Sequence, residues 1–140
     1  MITIINGPNL NLVGRREPDV YGERSFEDYL AELRRDFEGV DIRYFQSNVE
    51  GEIVDEIQRS GFDPACEGII LNPGGYSHYS VAIADAVAAV PARVVEVHIS
   101  NIHAREEYRR HSVTAERAAG VIAGFGLKGY RLALYSFLKP

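Results

Sequence analysis

Short runs of aliphatic and β-branched residues alternate along the chain with segments in which apolar residues recur at helical spacing. The apolar runs predict five strands, at 2–6, 40–45, 68–71, 94–97 and 121–125. The segments between and after them predict helices, at 25–39, 49–60, 77–90 (beginning at Ser77 or Tyr79), 104–110 and 130–138. Strands that alternate with helices in this way are typical of a parallel sheet with crossover connections.

The pattern predicts one domain over residues 1–140, with an α/β fold. Right-handed crossovers would make it a flavodoxin-like, doubly wound three-layer sandwich whose five-stranded parallel sheet has the order 2-1-3-4-5. Residues 7–24 show no hydrophobic periodicity and therefore predict a loop. A loop of this length is long for a compact domain. Gly14, Gly22 and the charged residues between them predict a lid loop at about 14–24.

Composition narrows the function classes. The net charge of −5 disfavours nucleic acid or an anionic membrane as a partner. A single cysteine, Cys66, excludes an intramolecular disulfide and fits a reducing compartment. The first residues lack the pattern of a secretory signal, and no window has the length and apolarity of a membrane span. We therefore expect a cytoplasmic protein.

Polar and glycine-rich sequence follows each predicted strand. The carboxyl ends of parallel strands lie at one edge of the sheet, so these groups can converge on a ligand. Asn9, Asn72, His78, His98 and Ser100 are the candidates after the first, third and fourth strands. The alternative interpretation is that such residues only terminate strands and form turns, and we favour it for the second and fifth strand ends.

His98 is the strongest single candidate. Glu96 lies two residues earlier on the same strand, so both side chains share one face. A carboxylate there can hold the imidazole, select its tautomer and raise its pKa, which suits a general acid. The alternative is a buried structural histidine that a carboxylate satisfies.

The segment after His98 carries further polar and charged groups. Ser100 or Asn101 would cap a short helix whose free N–H groups attract an anion. Arg105 and Arg109 are four residues apart, and one of them could face a ligand; Glu106 and Arg110 would form a solvated salt bridge.

Tyr21 lies in the predicted lid, with Arg15 and Arg16 upstream. A tyrosine acts as a base only when neighbouring cations lower its pKa from about 10. The two arginines could do so once the lid closes, although most loop tyrosines serve in packing.

Two other kinds of site are disfavoured. The sequence from Gly124 to Gly129 satisfies G-x-G-x-x-G, but too little chain follows it for the rest of a dinucleotide-binding unit. We interpret these glycines as turn and close-packing residues. His98 and His103 lack a third ligand nearby, so a metal site is also disfavoured.

Three sequence blocks together resemble the type II 3-dehydroquinate dehydratases. They read INGPNLNLVGRREPDVYG, ILNPGGYSHYSVAIADA and EVHISNIHAREEYRRHS, and GVIAGFGLKGYRLAL is similar to the family's C-terminal strand and helix. The resemblance covers essentially the whole chain. It implies a cofactor-independent and metal-free hydro-lyase that converts 3-dehydroquinate to 3-dehydroshikimate by anti elimination through an enolate. It also implies a homo-oligomer, a dodecamer built as a tetramer of trimers.

The resemblance assigns catalytic roles to five residues. Tyr21 would be the tyrosinate base and Arg16 the cation that lowers its pKa. Asn9 would hold a water against the enolate oxygen. His98 would protonate the departing hydroxyl, oriented by Glu96.

The resemblance also implies six substrate-binding residues. Asn72 and the backbone N–H groups of Ile99 and Ser100 would bind the substrate carboxylate, whereas His78 and Arg109 would bind ring hydroxyls. Asp85 would reach toward a neighbouring subunit's site.

A flavodoxin-like module that binds FMN or a nucleotide is the alternative function. The fold and the glycines from Gly124 motivate it, but the segment after the first strand lacks the Ser/Thr-rich phosphate loop that a flavin would need.

Overall fold

Five parallel strands form a single sheet in the computed structural model, which describes residues 1–15, 19 and 23–138. The strands are β1 (Ile2–Asn6), β2 (Ile42–Gln46), β3 (Gly68–Asn72), β4 (Val94–His98) and β5 (Gly120–Ala123). Their order is β2-β1-β3-β4-β5, and every pairing is parallel. The predicted fold class and strand order are confirmed, and the strand bounds differ from the prediction by at most two residues.

Within the part of the chain that the structure describes, four α-helices cover the two faces of the sheet. They are α1 (Phe26–Asp36), α2 (Glu50–Gly61), α3 (Val81–Ala89) and α4 (Lys128–Phe137). Helix α1 begins as predicted, because the Ser25 hydroxyl accepts a hydrogen bond from the Asp28 N–H at 3.1 Å. Helix α3 begins later than predicted. Ser80 caps it, and a 3-10 turn at Gly74–His78 precedes it.

The predicted helix at 104–110 is wrong. Two short 3-10 turns, Ile102–Ala104 and Glu107–Arg109, occupy this segment instead. Asn101 caps the first turn, and Arg105 then adopts an extended conformation that ends it. Because a 3-10 turn brings residues i and i+3 together, Glu106 pairs with Arg109 at 2.8 Å. The expected pair of Glu106 with Arg110 is therefore wrong as well.

The apolar core has two layers, one on each face of the sheet. Helices α1 and α4 bury Phe26, Leu33 and Leu134 against one face. Helices α2 and α3 bury Ile57 and Ile83 against the other. Strand residues alternate between the two faces of the sheet, so neighbouring residues of one strand pack against helices on opposite sides. Within the described residues, no helix combines the length and apolar character needed to cross a membrane.

The amino edge of the sheet carries polar contacts of its own. The Met1 ammonium group pairs with Glu67 at 2.8 Å. Next to it, the half-buried Cys66 thiol donates a hydrogen bond to the Gly68 carbonyl, and burial raises the pKa of this thiol. The opposite, carboxyl edge holds the candidate site.

Candidate active site

A cavity of about 150 Å³ opens at the carboxyl edge of the sheet. The loops after β1, β3 and β4 form it, together with the two 3-10 turns after β4. Its lining residues are Pro8, Asn9, Leu10, Leu12, Val13, Asn72, Gly74, Gly75, His78, His98, Ile99, Ser100, Ile102, Arg105 and Arg109. Polar groups from three strand ends thus converge on one cavity, as the sequence predicted.

The loop after β1 presents Asn9 in a strained but anchored turn. Asn9 has a left-handed backbone conformation with φ of 68°, which asparagine tolerates better than most residues. Its N–H donates to the Asn48 side-chain oxygen at 3.0 Å. The Gln46 side chain donates to the Gly7 carbonyl at 3.2 Å. The end of β2 therefore supports this loop from behind and contributes no residue to the lining.

Asn72 ends β3 and is almost completely buried at the cavity wall. Its side-chain oxygen accepts a hydrogen bond from the Gly74 N–H at 3.1 Å. Its amide nitrogen donates to the Tyr130 hydroxyl at 2.8 Å. Both ends of this carboxamide are therefore held by the protein.

His98 and Glu96 form a buried pair on β4. The His98 Nε2 lies 2.7 Å from the Glu96 carboxylate, and neither side chain is more than 6% exposed. Because a carboxylate only accepts, Nε2–H donates and leaves Nδ1 as the ring nitrogen that can exchange a proton with a ligand. The predicted contact between these two side chains is confirmed.

The Glu96 carboxylate has two further donors. Ser112 Oγ donates to it at 2.7 Å, and the buried Thr114 hydroxyl donates to its other oxygen. Burial alone would raise the pKa of Glu96, but the hydrogen bond and charge of His98, with the two hydroxyl bonds, lower it overall. The residue beneath His98 is therefore an anion, as a histidine acting as an acid requires.

The remaining charged groups in the lining come from the two 3-10 turns and the Gly74–His78 turn. Arg105 donates to the Ser100 hydroxyl at 3.2 Å. Arg109 pairs with Glu106 and lies over the Tyr108 ring. The His78 Nδ1 lies 2.8 Å from the His111 carbonyl, so Nδ1 donates and Nε2 is left for a ligand. The cavity thus combines two guanidinium groups with two imidazoles.

Seven predicted site residues line this cavity: Asn9, Asn72, His78, His98, Ile99, Ser100 and Arg109. Glu96 lies directly behind His98. Asp85 is exposed on α3, outside the cavity lining. Arg16 and Tyr21, the predicted lid cation and base, lie outside the described residues.

Sequence reasoning missed three residues of the site and left a fourth undecided. Arg105 was left open as one of two arginines, and both of them line the cavity. Ser112 and Thr114 lie in a segment without periodicity, and their contact with Glu96 arises only from tertiary structure. Tyr130 follows the apolar pattern of α4, which indicates a core residue and gives no sign of its polar contacts.

The glycines after β5 form turns and close packing contacts. Gly124 and Gly126 have positive φ values, and a Cβ on Gly129 would lie 3.1 Å from Val97. These glycines therefore serve in turns and close packing, as interpreted. Across the residues that the structure describes, no three His, Cys, Asp or Glu side chains are grouped so that they could hold a metal ion.

Comparison with known proteins gives consistent matches over the whole chain. The model of the family described as "Dehydroquinase class II" matches residues 1–138. A 3-dehydroquinate dehydratase from Caldicellulosiruptor bescii is 53% identical over 137 residues, covering 96% of this chain and 94% of that protein. One from Wolinella succinogenes is 53% identical over 135 residues, covering 95% and 80%. The crystal structure of a type II dehydroquinase from Butyrivibrio crossotus superposes with a TM-score of 0.91 at 44% identity, covering 97% of this chain and 95% of that one.

Proposed function

This chain belongs to the class II dehydroquinase family, and from that premise we propose that it is a 3-dehydroquinate dehydratase. It is a hydro-lyase that removes water from 3-dehydroquinate to give 3-dehydroshikimate, a step of the shikimate pathway toward aromatic amino acids. The observation that carries the proposal is the buried Glu96–His98 pair beside two arginines in a single cavity. The names of the relatives reported above give no support to the FMN- or nucleotide-binding alternative.

The lining fits a substrate with one carboxylate and several hydroxyls. We assign the carboxylate to the free N–H of Asn72 and to the backbone N–H groups of Ile99 and Ser100. Ring hydroxyls then fall to His78 and Arg109. The His78 Nε2 and the Arg109 guanidinium are both in the lining and offer an acceptor and donors respectively.

Elimination requires a base at C2 and an acid at the C1 hydroxyl on opposite faces of the ring. In our proposal the tyrosinate of Tyr21 takes the C2 proton, and Arg16 stabilises that tyrosinate. The resulting enolate is stabilised by a water held by Asn9. His98 then gives its Nδ1 proton to the C1 hydroxyl, so that water leaves with the C–O bonding pair as the C1=C2 double bond forms. Glu96 stabilises the imidazolium before this transfer.

The direct test is to add 3-dehydroquinate and to follow the ultraviolet absorbance of the conjugated enone product. Absence of product with folded protein would overturn the proposal. His98→Asn should lower kcat by about 10²–10⁴-fold, the usual contribution of a general acid. His103→Asn is the matched control, since His103 is an exposed histidine outside the cavity lining, and it should keep kcat within about twofold of wild type.

We further propose that the protein works in the cytoplasm as a homo-dodecamer, a tetramer of trimers. Asp85 supports a subunit contact, because it is exposed on α3 away from its own cavity. Near it in sequence, Tyr79 and Val81 are 65% and 63% exposed, and neighbouring exposed apolar side chains can contribute to an interaction surface. Sedimentation should give twelve times the mass of one chain, and Asp85→Asn should lower kcat/KM. A fully active monomer would contradict this assembly.

A further inference from the structure

We propose that Tyr130 is a positioning residue for substrate binding, and that its hydroxyl holds the Asn72 carboxamide with one N–H directed at the substrate carboxylate. The inference deepens the proposed function, because the ligand in question is that enzyme's substrate. Tyr130 itself is fully buried on α4 and lies outside the cavity lining, so it acts only through Asn72.

A continuous chain of hydrogen bonds connects Tyr130 to the cavity wall. The Tyr130 hydroxyl donates to the Asn6 side-chain oxygen at 2.7 Å and accepts from the Asn72 amide nitrogen at 2.8 Å. Asn6 and Asn72 are register partners at the ends of β1 and β3. One hydroxyl from the helix layer therefore lies between two asparagines of adjacent strands.

The direction of these bonds fixes the orientation of the Asn72 carboxamide. The single hydroxyl hydrogen of Tyr130 is committed to Asn6, so toward Asn72 the oxygen can only accept. On the other side, the Gly74 N–H can only donate, and it donates to the Asn72 oxygen. If the Asn72 carboxamide were flipped, its NH₂ group would face the Gly74 N–H, donor against donor. The Tyr130 oxygen would then also lose its donor. One N–H of Asn72 thus remains for the cavity.

Burial keeps this relay neutral. Burial raises the pKa of Tyr130 strongly, and its hydrogen bonds with Asn72 and Asn6 offset only part of that rise. Tyr130 therefore stays protonated across the working pH range and serves as a hydroxyl, in contrast to the ionised tyrosine that proton abstraction needs.

The test is Tyr130→Phe, which removes the hydroxyl and keeps the ring that packs edge-on against Phe26 at 4.9 Å. Without its acceptor the Asn72 carboxamide can rotate, so we expect KM for 3-dehydroquinate to rise about 5- to 10-fold, the cost of one hydrogen bond, with kcat within about twofold. Tyr29→Phe is the matched control. Tyr29 packs edge-on against the same Phe26 at 6.5 Å, and its hydroxyl interacts with Arg131.

A double-mutant cycle separates positioning from general loosening of the core. In an Asn72→Ala background, Tyr130→Phe should leave KM unchanged, because the group that it positions is gone. A wild-type KM in Tyr130→Phe, an equal rise in Tyr29→Phe, or additive effects in the double variant would each overturn the proposal. Asn6→Ala offers a second variant, since it frees the hydroxyl hydrogen and should raise the same KM to a smaller extent.

A measurement without turnover keeps this inference distinct from the proposed activity. The side-chain amide resonances of Asn72 in ¹H–¹⁵N spectra should shift in Tyr130→Phe and stay in place in Tyr29→Phe. If the wild-type protein gives no product, the proposed function fails, while these spectra still decide whether Tyr130 orients Asn72. Unshifted Asn72 resonances in Tyr130→Phe would contradict a positioning role for Tyr130.

Discussion

Glu96 is the residue on which the acid half of the cavity depends. A carboxylate with no solvent exposure would ordinarily become neutral, because burial penalises its charge. Here three donors, from His98, Ser112 and Thr114, hold it as an anion. The same contacts orient the imidazole toward the cavity, so one buried charge sets both the protonation and the position of the proposed acid.

The lowered pKa of Glu96 predicts a pH-dependent stability. Because the folded-state pKa lies below the ordinary value of 4.5, the stabilisation is fully present above pH 4.5 and is lost as pH falls further. Glu96→Gln cannot titrate there. At pH 7 it should lower the free energy of unfolding by about 1–3 kcal/mol, the cost of unmatched buried partners. Urea denaturation at several pH values should show this difference shrinking below pH 4.5.

Glu106→Gln is the control for that experiment. Glu106 is 54% exposed and pairs with Arg109 at the surface, so the change should have little effect on stability at any pH, because solvent screens exposed ion pairs. A wild-type advantage over Glu96→Gln that persists unchanged to pH 3 would contradict a carboxylate whose pKa is lowered by folding.

The loops after β1 and β3 form one interlocked element. The Gly7 N–H donates to the Asn72 carbonyl at 2.7 Å. A Cβ on Gly7 would lie 2.5 Å from the Pro73 carbonyl oxygen, which is backbone and cannot rotate away. The two loops that carry Asn9 and Asn72 therefore hold their spacing through direct backbone contact.

Gly7→Ala should separate these loops. We expect a loss of about 1–3 kcal/mol in the free energy of unfolding, typical of overpacking, together with a higher KM, because Asn9 and Asn72 would move apart. Gly51→Ala is the control. A Cβ there meets nothing within 4 Å on α2, and alanine should stabilise the helix by about 0.5–1 kcal/mol. Chemical denaturation and steady-state kinetics check both, and equal stability of the two variants would refute the interlock.

The sequence correctly predicts those strands and helices that depend on local residue pattern. The five strands follow from short, mainly apolar runs, and α1 follows from the Ser25 cap and its apolar stripe. The segment 104–110 was mistaken for a helix, because its charge spacing suits one while its turns depend on the Asn101 cap. The roles of Thr114 and Tyr130 depend on contacts across 18 and 58 residues of sequence, which no local pattern reveals.

The whole molecule places two guanidinium groups at the cavity of an anionic protein. Net charge is −5, yet Arg105 and Arg109 line the cavity, where Glu106 pairs with Arg109. An anionic substrate is therefore repelled by the net charge of the protein and attracted by the guanidinium groups at the site. Electrostatic attraction should therefore help the substrate to reach the site as well as to bind there.

Ionic strength should expose this contribution. Between 50 and 500 mM NaCl we expect kcat/KM for 3-dehydroquinate to fall by roughly threefold to tenfold, because salt screens the attraction between the site and the anion. At saturating substrate, kcat should change by less than about twofold. A thermal midpoint followed over the same series verifies that the fold persists, and a kcat/KM independent of salt would rule out this attraction.

The parallel sheet places the single cysteine of the chain at the edge opposite the candidate site, where it can be labelled chemically. The chain has one cysteine, Cys66, and it precedes β3 at the amino edge. With a rise of about 3.3 Å per residue, the strand places it about 20 Å from Asn72 at the cavity. A maleimide dye could therefore be attached at one known position remote from the site, at mildly alkaline pH because the thiol pKa is raised. Its fluorescence would then report ligand-induced movement while the catalytic edge stays unmodified.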